Sequence, residues 1–474
     1  MSALPGPDLA AFRAALGPIA QEDNPAIVRQ KSRDFFWYSP VLKKQLEHVT
    51  GDLVVTPKTE AEVVAVARAA FAHNVPLTTR GAGTGNYGQA MPLSGGVVLN
   101  LADLDKVKAI RPGAVTAEAG VIMEKLDHET RAHSRQELRL HPSTYRTATL
   151  GGFIAGGSGG VGSIRWGGLR DLGNIIRARV VTCEAEPRVL DLTGEDIAKV
   201  SHAYGTTGII TEVEVPLAPA YDWVDVLVAF DDFVAAAAFA DGLGNEDGIL
   251  LKNLAVVAAP MPHDYFLRHQ KFLRRDQSVV AVMVAPFALD AMLTFTARDS
   301  RASVVYRSDT ASAEDLKTLP LSFELSWNHT TLRGLRVDPT ITYLQVLYPF
   351  PDQIEKVARM TALFGDEVPG HLEFVRFDGK ITCFGLPVVR FTSEERLDEI
   401  MRLHEEHGCP IFNPHRYTLE EGGMKQTDAV QLAFKREADP KGLLNPGKMI
   451  AWEDPTYDFA SAKTYLFPGL SRAG

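Results

Sequence analysis

Two glycine-rich stretches stand out, RGAGTGNYG at residues 80–88 and TLGGFIAGGSGGVG at residues 149–162. Glycine reaches positive φ and lets the backbone approach a ligand closely. Successive N–H groups in such a loop can converge on an anion. Each stretch follows an extended segment, so the pair implies a long ligand with a charged middle, gripped by main chain. Two later segments carry side chains that move protons and anchor anions. One is Trp327-Asn328-His329-Thr330-Thr331, followed by Arg333 and Arg336. The other is Asn413-Pro414-His415-Arg416-Tyr417.

The first loop approaches a dinucleotide fingerprint, with Gly81-x-Gly83-x-Gly85. That fingerprint requires a helix to start at the loop. Here the chain runs on through Asn86-Tyr87-Gly88 and enters the strand-like run Val97-Val98-Leu99-Asn100-Leu101. The Rossmann reading is therefore set aside.

The elements that position these loops read as α+β. Val54-Val55-Thr56 begins a strand. Thr59 and Glu62 then form a capping box for a helix that stops near Asn74. Val63, Val66, Ala67, Ala70 and Phe71 give it helical spacing. Residues 75–79 extend into the first glycine loop. Strands follow over 97–101, 107–110 and 114–120, then a helix over 122–133. Residues 179–182 and 189–192 read as a hairpin, and 209–215 as an alternating strand after a glycine turn.

This order of motifs resembles the FAD-binding domain of the vanillyl-alcohol oxidase and p-cresol methylhydroxylase (PCMH-type) superfamily. The likeness rests on R-G-x-G-T, G-G-V-V-L-N-L, V-x-A-E-A-G-V, H-P-S-x-x-x-T-A-T-L-G-G and Y-G-T-x-G-I-I-T-E, with Asp439-Pro440-Lys441-Gly442-Leu443-Leu444-Asn445-Pro446-Gly447-Lys448-Met449 as a closing motif. It implies FAD as cofactor and an FAD-linked oxidase or dehydrogenase. It also implies a two-part FAD-binding domain (40–219, with a C-terminal return at 421–474) and an α+β substrate cap domain (220–420). Arg80, Gly81, Ala82, Gly83, Thr84, Gly85 and Asn86 would wrap the pyrophosphate. Pro142, Ser143, Thr147, Thr149, Gly151 and Gly152 would run past the ribityl chain and ring. Ala155, Ser158 and Gly160 would add amides and a hydroxyl, and Gly208, Ile209, Ile210 and Thr211 would edge the cofactor. Many relatives attach the flavin through a histidine at the position of Thr84, or through a cysteine in the second glycine region. Neither residue is present, so FAD is expected to be non-covalent. His329, His371 and His415 remain as cap attachment points.

Within the cap, strands are expected over 224–230, 279–286, 342–348, 368–374 and 380–386. Helices are expected over 233–243, 352–363 and 393–404, the last capped by Ser393. Together they suggest a sheet covered on one face by helices. His415 precedes the return to the FAD domain and is expected as base, with Arg416 or Tyr417 as anchor and His329 as a second candidate. The H-x-H metal cluster of the D-2-hydroxy-acid subgroup is absent, and His404 and His407, flanking Glu405 and Glu406, read as a solvated face. No metal is expected.

Composition narrows the partners. A net charge of −10 over 474 residues, without a basic run, excludes a nucleic-acid surface. Cys183, Cys383 and Cys409 are far apart and fit buried thiols in a reducing cytoplasm. The start MSALPGPDLAAFRAALG is too polar for a signal peptide. The aromatic tail (Tyr457, Phe459, Tyr465, Leu466, Phe467) is compatible with packing onto the parent domain, a weak membrane contact or a homodimer. The leading expectation is oxidation of a small alcohol or hydroxy acid, with oxygen or another carrier as acceptor. A lipid- or sterol-directed flavoenzyme resembling alkylglycerone-phosphate synthase or sterol Δ24-reductase, and a flavin binder without chemistry, are the alternatives.

Overall fold

The structure is a computed structural model that describes residues 6–423 and 427–457. Thr59 accepts from Glu62 N (3.2 Å) and starts the helix Glu60–His73, which ends at Asn74 with φ 54°. This helix crosses from strand Leu53–Thr56 to strand Leu77–Arg80. The 16 residues after Arg80 then return irregularly to Val97–Asn100, parallel to both. No helix follows the first glycine loop. The sheet is completed at its edge by Ala20–Glu22. Phe12, Leu16 and Ile19, ahead of the boundary expected at residue 40, share one apolar cluster with Val55, Val63, Leu77 and Leu99.

A second, antiparallel sheet runs in the order Val107–Arg111, Ala114–Glu118, Ile209–Pro219, Arg177–Val181, Val189–Thr193. The expected hairpin is the last pair of this sheet. Within the second glycine stretch Leu150–Gly156 is helical. Glycine disfavours helix. Here the Thr149 hydroxyl caps the turn by accepting from Gly152 N (3.2 Å), and Leu150, Phe153 and Ile154 are buried.

The C-terminal segment returns to the first layer. Leu77 N donates to Leu443 O and Asn445 N to Leu77 O, each at 2.8 Å. Beneath it the buried Lys435 ammonium donates to Asp439, Thr206 O and Leu444 O.

Between these parts stands a seven-stranded antiparallel sheet. Its order is Ser303–Arg307, Val224–Phe230, Ser278–Val284, Leu251–Val257, His371–Phe377, Lys380–Gly385, Val346–Tyr348. Helix Phe233–Gly244, capped by Asp232, packs on it, and helix Gln353–Phe364 packs on that helix and on the edge strand. The strand expected over 342–348 is divided. Ile341–Tyr343 pairs with Val388–Arg390 in a separate ribbon, while Val346–Tyr348 joins the main sheet. The intervening Leu344 and Gln345 are drawn off to other partners, Leu344 N donating to Pro387 O and Gln345 O accepting from Phe412 N.

The sheet meets the layers built by the N-terminal strands through buried polar contacts. Gly162 N donates to Lys252 O (2.8 Å). The Lys252 ammonium lies 2.8 Å from Glu137 Oε1, and the Glu137 carboxylate also accepts from Trp223 Nε1 and Arg131. Register fixes what faces this junction. Directly opposed residues of an antiparallel pair share a face. Glu373 opposes both Ala255 and Phe384, and Val375 opposes Thr382. His371, Glu373, Val375, Phe377 and Phe384 therefore share one face.

Candidate active site

One cavity of about 260 Å³ lies between the glycine loops and that sheet face. Its floor joins both loops. Gly81, Ala82, Gly83, Thr84, Gly85 and Asn86 line it from one side, and Thr149, Gly151, Gly152, Ala155, Ser158 and Gly160 from the other. Pro142, Ser143, Gly208 and Ile210 complete the expected lining.

Other expected cofactor residues lie around the cavity rather than on it. The Arg80 guanidinium turns back beneath its loop, donating to Ala82 O (3.0 Å) and to Arg33 O. Thr147 is exposed and its hydroxyl donates to Thr144 O (3.2 Å). Ile209 is fully buried in the first core, and the Thr211 hydroxyl donates to Glu60 Oε2 (2.9 Å).

The cradle suits the middle of a dinucleotide. An added Cβ would fall 2.0 Å from Thr149 Oγ1 at Gly81, and 2.3 Å from His141 O at Gly160. Both positions thus demand backbone without side chain. Thr79 lines the cavity, and its buried Oγ1 has no hydrogen-bond partner. The one carboxylate among the described lining residues, Asp34, is turned onto Phe36 N (2.9 Å) and Ala90 N (3.1 Å). Its pKa is raised by burial. Backbone donors without competing anions fit a diphosphate. The residues present therefore fit FAD.

The cap wall is apolar with a few polar groups. Val375, Phe377, Phe384, Leu386 and Phe412 line it beside Trp327, Asn328, Gln345 and Arg376. Phe384 lies 5.8 Å from Phe377 and 6.0 Å from Phe412, centroid to centroid. Sequence reasoning quoted Trp327 and Asn328 only as neighbours of His329. It missed Asp34, Gln345 and the wall of phenylalanines, because apolar alternation marks burial, not the side of a sheet that meets a ligand.

The expected catalytic groups take other positions. His415 is buried, with Nδ1 2.7 Å from Ser39 Oγ and Nε2 3.0 Å from Tyr343 O. It does not line the cavity, and burial lowers its pKa to about 3. Arg416 and Tyr417 do not line it either; the Tyr417 ring lies under the Lys448 ammonium at 4.9 Å. His329 follows the lining residue Asn328 but stays out of the cavity, its pKa lowered to about 4 by burial and then by Arg333, Arg336 and Arg146. None of His329, His371 and His415 lines the cavity. His404, expected on a solvated face, is buried and stacks on Phe364 at 4.9 Å. The helix turns it inward because Leu397, Ile400 and Met401 bury the same side.

Comparison with known proteins agrees with this geometry. Residues 51–191 match the FAD binding domain family. Over 461 residues the chain is 27% identical to the glycolate oxidase subunit GlcD of Escherichia coli, covering 89% of this chain and 88% of that one. Over 178 residues it is 30% identical to a D-lactate dehydrogenase of Archaeoglobus fulgidus, covering 35% of this chain and 39% of the other. The fold superposes on an alkyldihydroxyacetonephosphate synthase with a TM-score of 0.69 at 15% identity, over 94% of this chain and 86% of that one. Residues 51–191 thus match an FAD-binding domain, and the chain resembles the FAD-linked oxidoreductases with a PCMH-type FAD-binding domain. It is an enzyme that uses FAD, as an oxidase or a dehydrogenase.

Proposed function

We propose that the protein oxidises a small 2-hydroxy acid or a related alcohol, with residues 40–219 and 421–474 serving the cofactor and 220–420 the substrate. The observation that carries this reading is the closure of the glycine-lined cleft by one face of the cap sheet. The naming of two relatives as a glycolate oxidase subunit and a D-lactate dehydrogenase supports it. FAD, when bound, supplies the two-electron acceptor for a substrate hydride.

The chain's own residues do the rest. Val375, Phe377, Phe384, Leu386 and Phe412 keep water from the reacting carbon. Asn328 and Gln345 present neutral amides to the substrate's polar groups. His415, with both ring nitrogens engaged, acts as a strut between Ser39 and Tyr343 rather than as a base. Three separately buried, unpaired thiols fit a cytoplasmic setting. No helix among the described residues is long and apolar enough to cross a membrane. The tail residues Phe459, Tyr465, Leu466 and Phe467, on which the membrane-contact and homodimer expectations rested, lie outside the described residues.

Anaerobic addition of glycolate, D- and L-lactate, larger 2-hydroxy acids and simple alcohols to the yellow protein tests the reading. Bleaching of the visible flavin band by a hydroxy acid or alcohol supports it. A panel that leaves the band unchanged overturns it in favour of a binder, and bleaching only by lipidic substrates moves it to the lipid-directed class. Mixing the reduced protein with air then separates oxidase from dehydrogenase.

A further inference from the structure

Helix Asn328–Val337 starts from Trp327, whose φ of 53° and ψ of −145° lie where glycine is favoured and a large side chain is not. Outliers of this kind persist only when surrounding structure holds them, and they collect at functional sites. Two acceptors on neighbouring strands hold this one. Trp327 N donates to Glu373 Oε1, and Trp327 Nε1 donates to Asn253 Oδ1 (3.2 Å). The corner so formed places Trp327 and Asn328 in the cleft wall. Asn328 Oδ1 and the buried Thr331 Oγ1, one turn apart, have no hydrogen-bond partner.

Glu373 is not an isolated acceptor. Its Oε1 lies 2.7 Å from His371 Nε2, and both residues are almost wholly buried. His371 Nδ1 lies 3.2 Å from Leu386 O, which can only accept, so Nδ1 carries a proton. Nε2 and Oε1 therefore face each other across one shared proton. Glu373 Oε2 has no partner, and Thr330 Oγ1, which donates to Leu325 O, lies 3.3 Å from Nε2. The charged or titratable groups on the elements packed around the pair are Lys252 on the neighbouring strand, Asp225 two strands beyond it, Arg376 on the same strand, Lys380 and Cys383 on the hairpin partner, and Arg165 on helix Ser163–Trp166. Glu324 in the preceding turn and His329, Arg333 and Arg336 on the helix complete them.

We propose that Glu373 and His371 are positioning residues for the oxidation, whose shared proton fixes the Trp327–Asn328 corner against the substrate. With the proton present, Glu373 accepts from both Nε2 and Trp327 N. Without it, a carboxylate oxygen faces an imidazole lone pair, the two repel, and the corner loosens. The proposal rests on the reading that this wall faces the substrate.

The test uses the FAD-loaded protein. The difference in tryptophan emission between the parent and Trp327→Phe, followed over about pH 5 to 9, reports the corner without turnover. A single transition is expected in the parent and its loss in Glu373→Gln, which keeps the acceptor for Trp327 N but cannot ionise. Glu373→Gln is also expected to retain FAD and thermal midpoint while losing one limb of the pH profile of kcat/KM. Glu373→Ala is expected to lower kcat/KM about 10- to 100-fold. If Glu373→Gln does not fold, His371→Gln replaces it and is expected to abolish the same transition. A flat parent signal, a transition that survives in Glu373→Gln, or an unchanged pH profile with only a lowered thermal midpoint overturns the proposal. If no substrate bleaches the flavin but the transition appears and vanishes as described, the functional reading fails while the proton-dependent corner stands.

Discussion

Gly81 and Thr149 compete for one volume: a Cβ on Gly81 would lie 2.0 Å from Thr149 Oγ1. The two glycine stretches thus meet at a point, and Thr149, which caps Leu150–Gly156, closes the gap between them. Gly81→Ala is expected to weaken FAD binding at least about 10-fold, since backbone donors must shift from an anion they were placed to meet. Thr149→Ala alone removes a helix cap, costing about 1 kcal/mol. The double variant is expected to regain part of the FAD affinity, because the crowding oxygen is gone. Calorimetric FAD titration of the apoprotein measures all three, and equal affinity of Gly81→Ala and parent refutes the cradle.

His415 is expected to matter to stability more than to chemistry. Its removal leaves Ser39 Oγ and Tyr343 O without their partner, and His415→Ala should cost about 1–3 kcal/mol. Urea denaturation gives that figure. A several-hundred-fold loss of kcat at unchanged stability would return His415 to the role of base.

Acid should destabilise the fold early. Burial lowers His141 and His415 to about 3 and His202, His269 and His329 to about 4, against 6.5 when unfolded. Below about pH 6.5 the unfolded chain therefore takes up protons at these sites that the fold refuses, and stability falls with pH. Asp34 and Asp225, raised by burial to about 6, take up protons in the fold first and oppose the trend, as do Glu373 and Asp439, which burial also raises. Each histidine contributes about 1.4 kcal/mol per pH unit within its window. Denaturation midpoints near pH 7.5 and 5.5 are expected to differ accordingly, and His415→Gln should reduce the dependence by one proton.

Glu137 is expected to hold the cap to the FAD side. It accepts from Lys252, Arg131 and Trp223, and Lys252 is buried. Glu137→Ala would strand a buried ammonium, at a cost of about 3–5 kcal/mol. Differential scanning calorimetry should show a lowered transition, and a cost below about 1 kcal/mol would mean that water reaches the junction.

The backbone-held part of the site was legible in the chain itself. Gly81, Gly83 and Gly85 announce close backbone approach at any alignment of the surrounding elements, because the absent Cβ is a local property. The capping box at Thr59, the stop at Asn74 and the strand that replaces a Rossmann helix after Gly88 are likewise short-range. The helix at Leu150–Gly156 was hidden, since propensity spoke against glycine and a single Thr149 hydroxyl with three buried apolar residues overruled it.

What only the tertiary structure decided was which side of each strand meets which partner. Phe384, Phe412 and Gln345 belong to separate segments, and only the pairing of Val346–Tyr348 with Lys380–Gly385 and of Gln345 with Phe412 brings them to one wall. His415 has the composition of a base, yet Ser39, 376 residues away in sequence, takes its nitrogen. A side chain's type is written locally, but its partners are set by contacts between segments far apart in the chain, and those exist only once the two sheets have packed.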